Sequence, residues 1–235
     1  LQGRVPLIGF SGSPWTLACY MIEGSGSRDF AVAKKMLYER PDLLQKILDI
    51  NVRSVSQYLQ LQIDSGAQAV MIFDTWGGLL TTEDYLKYSL EPMSRIIREI
   101  RADSKNNDIP IIVFTKGGGL WLRNIAQAGA EVLGIDWTIS LSRAREEIDQ
   151  AFDKRIAIQG NLDPSILLSN QKEIEKRVQQ CFEDLSSVAL KEGNPLDGHI
   201  FNLGHGISQL TPPENVAILV AMVRQYSAAL RTIKV

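Results

Sequence analysis

Ala69-Val70-Met71-Ile72-Phe73, closed by Asp74-Thr75-Trp76-Gly77-Gly78, decides how the 235 residues are read. A strand with one wet face alternates apolar and polar residues, whereas a parallel strand covered on both faces is an uninterrupted apolar run. Five further stretches share this build: Val5-Pro6-Leu7-Ile8-Gly9-Phe10, Ile109 to Phe114, Glu131 to Asp136, Arg155 to Gly160 and Ile200 to Leu203. Each ends in a turn rich in glycine, proline or small polar residues, and helical patterning fills the spaces between them. Six strands alternating with helices predict an α/β fold with a parallel sheet, each pair joined by a right-handed crossover.

The helices carry their own punctuation. Pro14 suits a first helical position behind Ser13 as cap, and the helix runs out at Glu23-Gly24-Ser25-Gly26-Ser27. Asp29 to Tyr38 is patterned as a helix. Leu44, Ile47, Leu48, Val52, Val55, Leu59 and Ile63 recur at three- and four-residue spacing, predicting a long helix from Pro41 to Ser65, stopped at Gly66. Further helices are expected over Glu91–Arg101, Trp121–Ala128, from Ser142 as cap to Phe152, and over Glu173–Lys191. A last one has Thr211 as cap and Pro212-Pro213 in its first turn.

Composition narrows the function classes. With 25 basic and 27 acidic residues the net charge is −2, which carries no bias toward nucleic acid or a membrane surface. No apolar run approaches the ~20 residues of a membrane span. Cys19 and Cys181 stand far apart without CxxC partners and read as reduced thiols of a cytoplasmic protein. No linker divides the chain, so one domain over 1–235 is expected. Leu1 replaces an initiator Met and a strand follows within a few residues, so the natural N-terminus is expected upstream.

Two architectures fit, an open doubly wound sheet and a closed barrel of eight βα units; six units complete the first and leave the second two short. In both, loops after strand C-termini share one face. That gathers Tyr20, Asp74, Thr75, Lys116, Asp136, Gln159, Asn161, Asp163 and His205. Asp136 and Asp163 also suit helix caps, and Trp76 and Trp137 suit packing. Gly117-Gly118-Gly119 lacks the flanks of a P-loop or dinucleotide fingerprint. HxxxH, HExxH and Gly-x-Ser-x-Gly patterns are absent, which removes the usual zinc and α/β-hydrolase signatures.

The strand-end segments are more specific taken together. Gly9-Phe10-Ser11-Gly12-Ser13-Pro14-Trp15-Thr16-Leu17 with Tyr20-Met21-Ile22-Glu23-Gly24, then Phe73 to Gly78, Phe114 to Gly119 and Gly134-Ile135-Asp136-Trp137-Thr138, form an ordered series. Gln159-Gly160-Asn161-Leu162-Asp163-Pro164 and Asn202-Leu203-Gly204-His205-Gly206 complete it. In this order the chain resembles the uroporphyrinogen decarboxylase family from end to end. The resemblance implies a (β/α)8 TIM barrel, here truncated, with about the first two βα units missing. It further implies a cytoplasmic homodimer without metal or organic cofactor. The reaction implied removes the four acetate carboxyls of uroporphyrinogen III to give coproporphyrinogen III on the way to haem.

Carried over residue by residue, Tyr20, Thr75 and His205 match the polar substrate-contacting positions, Tyr20 and His205 as hydrogen-bonding and orienting groups in catalysis. Phe10 matches the strand-end residue against which the macrocycle packs. The family's N-terminal Arg-rich motif and its pyrrole-gripping aspartate have no counterpart here, so the fragment alone is expected to be inactive. Two rivals remain. One is a zinc-dependent methyltransferase on the same barrel, although Gly206 rather than x-Cys follows His205 and neither cysteine is at a strand end. The other is a non-catalytic porphyrinogen-binding fragment.

Overall fold

The computed structural model describes residues 3–152, 155–188, 194 and 196–232. They fall into two compact units, Leu1–Leu133 and Gly134–Val235.

The first unit alternates strand and helix as its pattern predicts. Strand β1 (Ile8–Gly12) leads into helices α1 (Pro14–Glu23), α2 (Ala31–Glu39) and α3 (Pro41–Asp64), then β2 (Ala69–Asp74). Short α4 (Thr82–Asp84), a π-helical segment (Tyr85–Leu90) and α5 (Glu91–Arg101) make one helical run before β3 (Ile111–Thr115) and α6 (Leu122–Gln127). Strand β4 (Val132–Gly134) lies at the boundary. The first three strands pair in parallel, with Phe10 beside Met71 and Phe73 beside Phe114 on one face. On the other face Val70, Ile72, Ile111 and Val113 are fully covered. The cover is the predicted stripe of α3, with Leu44, Leu48, Val52, Val55 and Leu59 buried, and Met93, Ile96, Ile97 and Ile100 of α5. Each such side chain contributes roughly 1.5–3 kcal/mol on leaving water.

The second unit holds α7 (Leu141–Asp149), β5 (Ala157–Leu162), α8 (Gln171–Ser186), β6 (His199–Leu203) and α9 (Pro213–Thr232). Strands β5 and β6 pair in parallel, Gly160 beside Phe201 and Asn161 beside Asn202. Phe182 of α8 stacks on Phe201 at 5.7 Å and on Tyr226 of α9 at 6.2 Å. Beneath α7 the buried Arg145 guanidinium donates to Ile156 O (2.7 Å) and Gly198 O (3.4 Å), with Asp149 at 3.1 Å.

Spatial neighbours are successive strands throughout, in the order β1-β2-β3-β4-β5-β6. A doubly wound sheet reverses direction once along its order; an unbroken sequential order is barrel progression, here incomplete. Strand boundaries shift from their expected places by up to three residues, toward the C-terminal side in β1, β3 and β5. The cap of α7 is Ser140, accepting from Arg143 N, not Ser142, whose hydroxyl is held by Asp184 Oδ1 at 2.6 Å. Thr211 does not cap α9: its Oγ1 is buried without a hydrogen-bond partner. The expected extension of α8 to Lys191 runs into residues 189–191, outside the described residues.

Candidate functional site

In the first unit the turn after β1 is built on a buried carboxyl group. Asp74, the last residue of β2, accepts from Ser13 Oγ (2.7 Å) and Thr16 Oγ1 (2.9 Å) at the start of α1, and from Ser89 Oγ (2.6 Å). Ser89 arrives from the π-helical segment, whose Tyr85 hydroxyl meets Thr115 Oγ1 at 2.9 Å. Burial raises the Asp74 pKa, opposed by these donors and the Gly77 N–H. With its oxygens committed to hydroxyls, Asp74 fixes the ends of β2 and α1; it is a structural carboxyl rather than a substrate ligand. Gly77 allows this fit, since a Cβ there would overlap Asp74 Oδ2, while Gly78 lets the turn after β2 approach the next one, its Cβ position lying 2.3 Å from Lys116 O.

That scaffold presents a surface of rings. Tyr20, on the last turns of α1 and 41% exposed, meets Phe30 edge-on at 5.8 Å and Trp76 at 6.3 Å. Phe30 and Trp76 lie 4.7 Å apart, and the Lys116 ammonium stands 5.9 Å above the Trp76 ring. Thr75, half-buried, is the residue between Asp74 and Trp76. Phe10 is 60% exposed, with its ring 6.0 Å from that of Phe73. Thus Tyr20 belongs to the ring cluster, and Thr75 adjoins it only as the sequence neighbour of Trp76. Phe10, expected at a strand end, is the middle residue of β1, which runs on to Gly12. Exposed aromatic faces such as those of Phe10 and Tyr20 suit flat, partly polar ligands.

The second unit carries His205. Gly204 is buried against the turn after β4; a Cβ there would meet Trp137 N at 2.8 Å and Asp136 Cα at 3.1 Å. Only glycine permits that approach, and it leaves His205 half-buried and Gly206 exposed. The turn itself is fastened by Asp136, which accepts from Thr138 N (2.9 Å) and Thr138 Oγ1 (2.5 Å). Asn161 Nδ2 donates to the carbonyls of Asp136 (2.9 Å) and Ile139 (2.6 Å). Asp163 caps the short helical turn Pro164–Leu168 through Ser165 N at 2.8 Å. Gln159 is buried in β5. Asp136 and Asn161 therefore shape the turn against which Gly204, the residue before His205, is packed.

Sequence reasoning missed two residues. Phe30, invisible as a site element because nothing local distinguishes it from another core aromatic, completes the ring cluster. His199 is the other histidine: its Nε2 lies 2.8 Å from Gly160 O, and because a carbonyl only accepts, that nitrogen carries the proton. Burial holds its pKa below the usual histidine value. Among the described residues no group of three or more His, Cys, Asp or Glu side chains is placed to hold a metal. Both cysteines are free thiols, that of Cys181 pushed up to about 11 by burial.

Known proteins match this chain throughout. The family model described as uroporphyrinogen decarboxylase covers residues 1–226. Proteins named uroporphyrinogen decarboxylase from Ralstonia nicotianae and Ralstonia pickettii are each 55% identical over 229 residues, and one from Herminiimonas arsenicoxydans is 52% identical over 230. The matches take in 97–98% of this chain, which spans about 60% of the length of these curated relatives. A methyltransferase from Methanosarcina mazei superposes with a TM-score of 0.72 at 20% identity, over 95% of this chain and 59% of its own. That likeness is one of fold.

Proposed function

We propose, since the chain belongs to the uroporphyrinogen decarboxylase family, that the whole protein converts the four acetate side chains of uroporphyrinogen III to methyl groups, giving coproporphyrinogen III. The carrying observation is the match over residues 1–226, which takes in every strand-end segment in order. Loss of carbon dioxide from an acetate arm leaves a carbanion beside a pyrrole. A protonated pyrrole is an electron sink for it, so the substrate supplies what a cofactor supplies elsewhere. The protein's tasks are to move a proton, to stabilise the developing charge and to hold the carboxylates.

In this reading Phe10 is the apolar floor for the macrocycle, Tyr20 and His205 donate and orient hydrogen bonds, and Thr75 contacts a side-chain carboxylate. The cluster of Tyr20, Trp76 and Lys116 suits such a ligand, since it joins a phenol, an aromatic face and one cation. A single 1–235 barrel domain, a homodimeric assembly, a cytoplasmic location and cofactor independence belong to the same proposal. The test is anaerobic turnover of uroporphyrinogen III by the full-length protein, with products separated by chromatography. Stepwise appearance of hepta- to tetracarboxylic porphyrinogens is expected. Tyr20→Phe and His205→Asn should each lower turnover at least tenfold while the protein stays folded. Full-length protein that releases no carbon dioxide from this substrate sinks the reading.

A further inference from the structure

We infer that Phe30 is a positioning residue that fixes the ring of Tyr20; the inference rests on the role proposed above for Tyr20. Phe30 stands immediately before α2 with φ 52° and ψ 49°, the left-handed conformation, and among the described residues it is the non-glycine residue with positive φ. Glycine, asparagine and aspartate adopt this conformation cheaply; a large aromatic residue adopts it at a cost. Observed strain of this kind has to be imposed by the surroundings.

The surroundings are specific. Before Phe30, its N–H donates to Ser27 Oγ (3.2 Å); after it, Val32 N donates to Glu23 Oε1 (3.0 Å), tying the loop back to α1. Its carbonyl accepts from Lys34 N, so α2 begins without a turn to relax the backbone. These contacts turn the ring inward, where it is completely buried between Tyr20 (5.8 Å, 85°) and Trp76 (4.7 Å, 52°). The Trp76 indole N–H is buried without a hydrogen-bond partner, so its ring is held by its neighbours and the Lys116 ammonium above it and not by a hydrogen bond. The Tyr20 ring meets those of Phe30 and Trp76, so ring packing sets its orientation. Tyr20 is 41% exposed and would otherwise sample several rotamers; Phe30 closes one side of it and leaves the other open. The strained backbone is what aims that wedge.

The test uses the full-length protein labelled with 3-fluorotyrosine, the Tyr20 resonance being identified by its loss in Tyr20→Phe. In Phe30→Leu, which keeps buried apolar volume but not a flat edge, the Tyr20 fluorine signal should shift and change width. Turnover of uroporphyrinogen III should fall about tenfold in kcat with KM within twofold. In a Tyr20→Phe background the same Phe30→Leu change should cost less than twofold. Should Phe30→Leu unfold, as judged by circular dichroism, Phe30→Met replaces it in the same cycle. An unmoved fluorine signal, or losses that multiply in the two backgrounds, overturns the inference. Undiminished turnover by Tyr20→Phe instead sinks the role of Tyr20 in the proposed function, and the fluorine signal then decides whether Phe30 sets the ring.

Discussion

Asp74 and His199 are both ionisable groups taken out of water, and they respond in opposite senses to pH. Burial raises the Asp74 pKa, so between the unfolded value near 3.8 and the folded one the unfolded chain loses its proton first. The contribution of Asp74 to stability is then largest below that window and declines as pH rises through it. Asp74→Asn, which keeps an acceptor for Ser13 and Thr16, should therefore cost more at pH 4 than at pH 7 in chemical denaturation. Asp74→Ala strands three buried hydroxyls and should cost about 3 kcal/mol. A penalty for Asp74→Asn that grows with pH would contradict this account. His199 is buried neutral with a lowered pKa, so its contribution is complete above about pH 6.5 and fades as pH falls below it. In His199→Gln the decline in stability between pH 7 and pH 5 should be shallower, measured by the same titration. Neither role was legible in sequence. Asp74 looks like any strand-end acid until Ser13 and Thr16, some sixty residues earlier, and Ser89 close around it.

At the level of elements, local signals were read well where the partner is local. Pro14 opens α1 behind Ser13, whose Oγ accepts from Thr16 N at 3.0 Å, as its sequence predicts. The bounds of α5 fall where periodicity placed them. Reading failed where a distant residue competes. Ser142 is the cap expected from sequence; Asp184 of α8 takes its N–H and hydroxyl, and Ser140 caps α7 instead. The turn glycines also divide this way, for only tertiary structure shows which ones touch another backbone. Gly78→Ala would drive a methyl into Lys116 O and part the turns that follow β2 and β3. It should lower stability by about 3 kcal/mol or more, read from thermal unfolding. Gly206→Ala, where the Cβ meets nothing within 4 Å, should be close to neutral by the same measure. Ser13→Ala removes a cap as well as a donor to Asp74 and should cost about 1–2 kcal/mol.

Over the whole chain, the alternation of apolar runs and helical stripes was enough for the α/β class, but barrel and doubly wound sheet are separated only by strand order, a tertiary fact. Charge is where sequence and site bear on each other most directly. Among the three residues that follow each described strand, Lys116 is the lone permanent cation, and Asp136 and Asp163 are anions. The proposed substrate carries eight carboxylates. Moving a carboxylate out of water without a partner costs several kcal/mol, and one ammonium cannot offset that for a macrocycle bearing so many. On the proposed reading the remaining carboxylates need cations beyond these strand-end positions, in a protein whose curated relatives are longer than this chain. Residues 1–235 alone should therefore release no measurable carbon dioxide from uroporphyrinogen III under conditions in which the full-length protein turns over. Lys116→Ala in the full-length protein should raise KM several-fold, more at low than at high ionic strength, with a smaller effect on kcat. Turnover by 1–235 at a rate near that of the full-length protein would show that this chain's own strand ends suffice. The assignment of the carboxylate-binding cations to residues outside it would then be wrong.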